Sequence, residues 1–169
     1  MAKGIKKTGI PSWEELKASP GLPDADRLEE GPVAFIECVQ EIPCNPCEDV
    51  CPFGAIEVGS PITNLPKLYG KKCTGCGLCV AACPGLVIFK VHKNYTDSTS
   101  LVEFPFEYHP LPKTGKTVRC VNREGKFVVE GKVVKVRNPK QFDATPLITV
   151  EVPKKYFLEV RSIERKRWC

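Results

Sequence analysis

No apolar run in the sequence approaches the ~18 residues that a membrane span needs. The opening residues, Met1 to Ile5, lack the apolar stretch of a secretory signal. A cytoplasmic, reducing setting is therefore expected, and disulfides are disfavoured. Histidine is scarce. Only His92 and His109 occur, and neither has a neighbouring nucleophile. Each is expected at the surface or in packing, which leaves no histidine-based catalytic constellation. A large excess of one charge is also lacking: 25 Lys and Arg stand against 20 Asp and Glu, a formal +5. The lysines are dispersed and no nucleic-acid motif accompanies them, so no nucleic-acid partner is expected. The group Arg161, Arg165, Lys166 and Arg167 is expected to be a solvated or partner-facing tail.

Cysteine is what the chain has in plenty, with 10 in 169 residues. Four lie in one run, Cys73, Cys76, Cys79 and Cys83, closed by Pro84. That spacing supplies soft thiolates as a cubane iron–sulfur cluster requires, and the fourth cysteine of such a run usually ligates the other cluster of a pair. A second set is therefore expected. Upstream, Cys44, Cys47, Cys51 and Pro52 repeat Cys76, Cys79, Cys83 and Pro84 at one constant offset. The register continues from Ile56 to Ile88, as in a duplicated supersecondary unit. The repeat fails at one place: the counterpart of Cys73 is Glu41, and Cys38 lies just before it. Cys38 is the favoured replacement, because sulfur suits iron–sulfide better than a carboxylate does. Ligation by Glu41 and a three-thiolate site with a three-iron cluster stay open. So does Cys38 as a small buried hydrophobe. Zinc is the main competitor, but structural zinc sites use separated cysteine pairs rather than a triple run. Cys120 and the terminal Cys169 read as non-ligands.

Short strands are expected at 33–36, 55–58, 66–69 and 86–91, with short helices after the first two cysteines of each set. The order is βαββαβ, in the α+β class. Gly75, Gly77, Ala81 and Ala82 leave room for backbone to approach a cluster and aim N–H groups at sulfide. On these residues the segment resembles a bacterial-type two-[4Fe–4S] ferredoxin domain. The resemblance implies two [4Fe–4S] clusters with crossed ligands: Cys38, Cys44, Cys47 and Cys83 for the first, Cys51, Cys73, Cys76 and Cys79 for the second. The shift from position 41 to 38 departs from the family pattern.

Three units are expected: an extended N-terminal arm over 1–31, the ferredoxin domain over 32–95, and a small antiparallel β-barrel over 100–165. Ser12 and Glu15 form a capping-box pattern in the arm, whose Trp13 either packs on its own domain or docks on a partner. In the third unit, strands are expected at 101–106, 117–121, 127–136 and 147–152, with a hairpin at Asn122 to Gly125 and a bend or bulge at Gly131. More weakly, residues 37–47 and 121–125 are similar to the small iron–sulfur subunit of flavin-dependent amino-acid dehydrogenases acting on proline or hydroxyproline. That resemblance implies a non-catalytic electron-transfer subunit, with flavoprotein partner subunits in a hetero-oligomeric oxidoreductase complex. A free soluble ferredoxin, or a structural or regulatory module whose metal sites only hold the fold, are the alternatives.

Overall fold

A computed structural model describes residues 4–165; Lys166, Arg167 and Cys169 lie outside the described residues. The N-terminal segment is not an extended arm. It forms three short helices: α1 (Ile5–Thr8), α2 (Trp13–Ala18) and α3 (Ala25–Glu29). The capping box at α2 is complete. Glu15 N–H donates to Ser12 Oγ at 3.2 Å, and Ser12 N–H donates to Glu15 Oε2 at 2.7 Å. The segment docks on its own chain because it supplies backbone partners that buried strands need. Ile36 N–H donates to Gly21 O at 3.1 Å, and Leu68 N–H donates to Pro20 O at 3.0 Å. A Cβ at Gly21 would lie 2.7 Å from Ile36 O, so glycine permits this approach. Leu16 is fully buried, and Trp13 lies under the Arg123 guanidinium, 4.7 Å from the ring centroid.

The cysteine-rich segment runs β1 (Val33–Ile36), α4 (Pro46–Asp49), β2 (Ile56–Glu57), β3 (Lys67–Leu68), α5 (Leu78–Ala82) and β4 (Ile88–His92). β5 (Thr99–Pro105), β6 (Thr117–Val121), β7 (Phe127–Arg137), β8 (Leu147–Pro153) and β9 (Ser162–Ile163) follow. One antiparallel sheet takes seven of these strands in the order β1-β4-β5-β8-β7-β6-β9, while β2 and β3 pair separately. Among the described residues, no helix is long and apolar enough to cross a membrane.

Over 100–165 the strands join a larger antiparallel ladder instead of forming the separate small barrel expected there. β5 pairs with β4, placing Val91 opposite Val102 and Lys90 opposite Glu103, so the later strands extend a sheet begun by β1 and β4. β1 and β9 are left as its edges. Side chains join these edges. Glu37, next after β1, pairs with Arg123, which follows β6, and with Arg161, which precedes β9. A single apolar cluster extends from Val33 to Ile163, with Phe35, Phe104 and Phe106 fully buried within it. Gly131 is not at a bulge. The β7 register shifts lie elsewhere, opposite Cys120 and Val121 of β6 and between Val133 and Lys135. A Cβ at Gly131 would lie 2.7 Å from Cys120 Sγ, so Gly131 makes room for a buried thiol.

Candidate metal centres

The eight cysteines singled out by spacing gather around two cavities. Cys38, Cys44, Cys47 and Cys83 line the first, and Cys51, Cys73, Cys76 and Cys79 line the second. The chain crosses between them by way of two helices that pack on each other. α4 carries Cys47 at the first cavity, and the chain just beyond it brings Cys51 to the second. α5 carries Cys79 at the second and ends at Cys83, which lines the first. Cys38 lies on the wall of the first cavity; Glu41 is exposed and lines neither. Among the described residues, no three His, Cys, Asp or Glu side chains converge as one metal ion would need. The thiols ring cavities instead, which suits a cluster, since each of its irons takes its own thiolate.

Burial separates the thiols. Cys47, Cys79 and Cys83 are buried, whereas Cys76 is exposed. Burial pushes the Cys47 thiol up to about 12, and the neighbouring Cys83 and Cys44 push the same way. Cys79 is pushed higher still by burial, then by Cys73, Cys76 and Cys51. Burial also raises Cys38 and Cys83. Such thiols hold their protons at neutral pH until a metal displaces them. Backbone donors already face sulfur: Ala34 N–H reaches Cys73 Sγ at 3.4 Å, and Ala55 N–H reaches Cys51 Sγ at 3.3 Å. Hydrogen bonds of this kind tune a bound cluster.

Gly75 and Gly77 are needed for more than space at a cluster. Both have positive φ, and a Cβ at Gly75 would lie 2.7 Å from Pro32 O. At Gly77 it would lie 2.2 Å from Arg137 Nη2, whereas at Gly115, also at positive φ, it would meet nothing within 4 Å. Both Gly77→Ala and Gly115→Ala should lose about 1–2 kcal/mol of stability to left-handed strain. Gly77→Ala should lose more in urea denaturation, because Arg137 must also move. Equal losses would show that the Arg137 contact carries no weight.

Charged side chains that the cysteine spacing does not reveal hold these loops. Arg27 of α3 donates to Gly70 O at 2.8 Å, Pro32 O at 2.9 Å and Cys73 O at 2.8 Å, pinning the backbone of Cys73 at the second cavity. Beside the second cavity, the buried Glu103 pairs with Lys90 at 2.9 Å and Arg137 at 2.6 Å, and accepts from Thr149 Oγ1 at 2.7 Å. Burial alone would raise the Glu103 carboxyl, but Lys90, Thr149 and Arg137 together hold it below its usual range. Arg137 Nη1 also donates to Cys76 O at 3.0 Å. Next to Cys38, Glu37 holds Arg123 and Arg161. Arg161 corrects the expected solvated tail: its side chain is 3% exposed, over the rings of Phe35 and Phe89. The available signals were Glu37 after a four-residue apolar strand and Glu103 between Val102 and Phe104, each a carboxylate in apolar surroundings that needs a buried partner.

A family model described as a 4Fe-4S binding domain matches residues 68–89. Over 38 residues, 22% of the chain, the sequence is 55% identical to a component of the Na(+)-translocating ferredoxin:NAD(+) oxidoreductase complex of Acetobacterium woodii. Over 43 residues, 25% of the chain, it is 46% identical to a component of the ion-translocating oxidoreductase complex of Methanosarcina acetivorans. The matched segments span only 11% and 15% of those two proteins. No solved structure matches significantly. Neither relative is an amino-acid dehydrogenase, so that resemblance gains no support. The segment that carries Cys73, Cys76, Cys79 and Cys83 is thus similar to a 4Fe-4S binding domain.

Proposed function

We propose that this chain is an iron–sulfur electron-transfer subunit holding two [4Fe–4S] clusters. Cys38, Cys44, Cys47 and Cys83 hold the first, and Cys51, Cys73, Cys76 and Cys79 hold the second. The observation that carries the reading is the pair of cavities, each ringed by four cysteines in the crossed grouping. Bound clusters would supply one-electron redox chemistry, and the protein's part is to set potential, spacing and docking. The packed α4 and α5 keep the two cavities close. Ala34 and Ala55 direct N–H groups at ligand sulfur, while Arg27 and Arg137 fix the carbonyls of Cys73 and Cys76.

A redox partner, with a flavoprotein as the favoured kind, docks where the cavities approach the surface. Cys76 is exposed, and the apolar Ile42 and Phe53 stand exposed on the walls of the first and second cavities. Assembly into a hetero-oligomeric oxidoreductase complex is supported by the two relatives, each named as one subunit of such a complex. Iron and acid-labile sulfide should each reach about eight per chain after anaerobic reconstitution. About four of each would mean one cluster and would overturn the two-cluster reading. Purification at native expression should recover the chain with other subunits; a lone monomer would sink the subunit assignment.

A further inference from the structure

We propose that a charged group beside the second cavity, the half-buried Lys90 of β4 with the buried Glu103 and half-buried Arg137 from the strands beyond it, sets the reduction potential of the second cluster. This rests on the two-cluster reading. Lys90 lies on the wall of the second cavity, opposite Ala34 on one side and Glu103 on the other. Arg137 reaches from β7 and donates to the carbonyl of Cys76, so a fixed cation is tied to a residue that lines the same cavity. Glu103 comes from β5 and is 1% exposed. Two cations thus face one carboxylate, leaving one positive charge in excess beside the cavity. Arg137 Nε is buried with no hydrogen-bond partner, so the carboxylate does not fully satisfy this cation.

Charge in such a half-buried place acts more strongly than at the open surface, because water screens it less. Reduction adds one electron to the cluster and breaks no protein bond; nearby positive charge favours the reduced form. Net charge, hydrogen bonds and exposure are the quantities that spread cluster potentials over their range. Glu103 and Arg137 both lie beyond the segment that resembles a ferredoxin. That gives the later strands a task a minimal ferredoxin domain would leave to its own residues.

The test is an EPR-monitored redox titration of the reconstituted full chain with dithionite as reductant. The second cluster's signal is identified as the one that survives Cys38→Ala. Arg137→Gln should weaken reduction of that cluster about tenfold, a shift of 59 mV to lower potential for one electron. Lys90→Met should move it the same way. Glu103→Gln should move it in the opposite direction, since the amide keeps the size and still accepts from Thr149 while the negative charge is gone. Arg137→Lys should restore most of the wild-type potential. Opposite signs separate a charge effect from a loosened fold, which would push every variant the same way. Shifts of one sign throughout, or unchanged potentials with both clusters present, would overturn the inference and leave the proposed function standing. A wild-type chain with one cluster in place of two would overturn both.

Discussion

Glu37→Ala is expected to cost about 3–5 kcal/mol, because it removes one partner of a buried ion pair and strands the other. Against a total stability of roughly 5–15 kcal/mol, that is enough to bring the chain near unfolding. Glu37 is 4% exposed, Arg161 3% and Arg123 13%, so water can replace little of what the carboxylate gives. Arg161 Nε donates to Glu37 Oε1 at 2.6 Å, and its Nη1 donates to Phe157 O at 3.1 Å and Val160 O at 2.6 Å. Its Nη2 has no partner. Burial pushes the Arg161 guanidinium down to about 10 against the pull of Glu37, so it remains a cation at neutral pH. Without Glu37, two guanidinium groups would face each other beside Phe35 and Phe89. The same contact holds the β1 end of the sheet to the β6 and β9 end, so both edges should loosen together. Urea denaturation measures the loss, and Glu124→Ala on the exposed hairpin serves as the reference. A loss below about 1 kcal/mol would show that Glu37 does not bear the charge of both arginines. A companion variant, Glu37→Leu with Arg161→Met, should recover part of the stability, since an apolar pair of similar size avoids desolvation.

The cysteine positions were legible because metal-ligand spacing is local. Thiols three residues apart across the start of a short helix, Cys44 with Cys47 and Cys76 with Cys79, reach one cavity. The crossing of Cys51 and Cys83 came from resemblance rather than spacing, and α4 packing on α5 is its physical counterpart. The helix cap at Ser12 was legible for the same local reason. The edges of the sheet were not. Whether β5 closes a barrel or adds to β4 depends on pairing between residues far apart, such as Val91 with Val102, and alternation alone does not choose a neighbour. Arg161 shows a related limit. Read with Arg165, Lys166 and Arg167 it looks like a basic tail. Its burial follows from Glu37, 124 positions away, and no window on the sequence joins those two residues. Arg27, Lys90 and Arg137 escaped notice in the same way, since cations acquire their roles from the carbonyls and carboxylates that the fold brings to them.

Cys38→Ala should remove or convert the first cluster and spare the second. Its thiol is the counterpart of Cys73 by position on the cavity wall, though not by register in the repeat. Glu41, which holds the register position, is exposed and off both cavities. Alanine removes the thiol with little damage to the scaffold: Ser19 Oγ donates to the backbone carbonyl of Cys38 at 3.1 Å, a bond that does not involve its side chain. The remaining Cys44, Cys47 and Cys83 supply three thiolates, enough for a three-iron cluster but one short of a cubane. Iron and acid-labile sulfide should fall from about eight each toward about four if the site empties, or to an intermediate value if three irons stay. EPR should keep the second cluster's signal in either case, because Cys51, Cys73, Cys76 and Cys79 line the other cavity. The converse variant, Cys79→Ala, should lose the second signal and keep the first. Unchanged iron content and spectrum in Cys38→Ala would reject Cys38 as a ligand. Glu41→Gln would then become the deciding variant, since a carboxylate that had moved in from solvent to bind iron would lose that charge. A fully retained first cluster in both variants would mean that neither position 38 nor 41 ligates. The fourth iron would then have to take its ligand from outside the repeat.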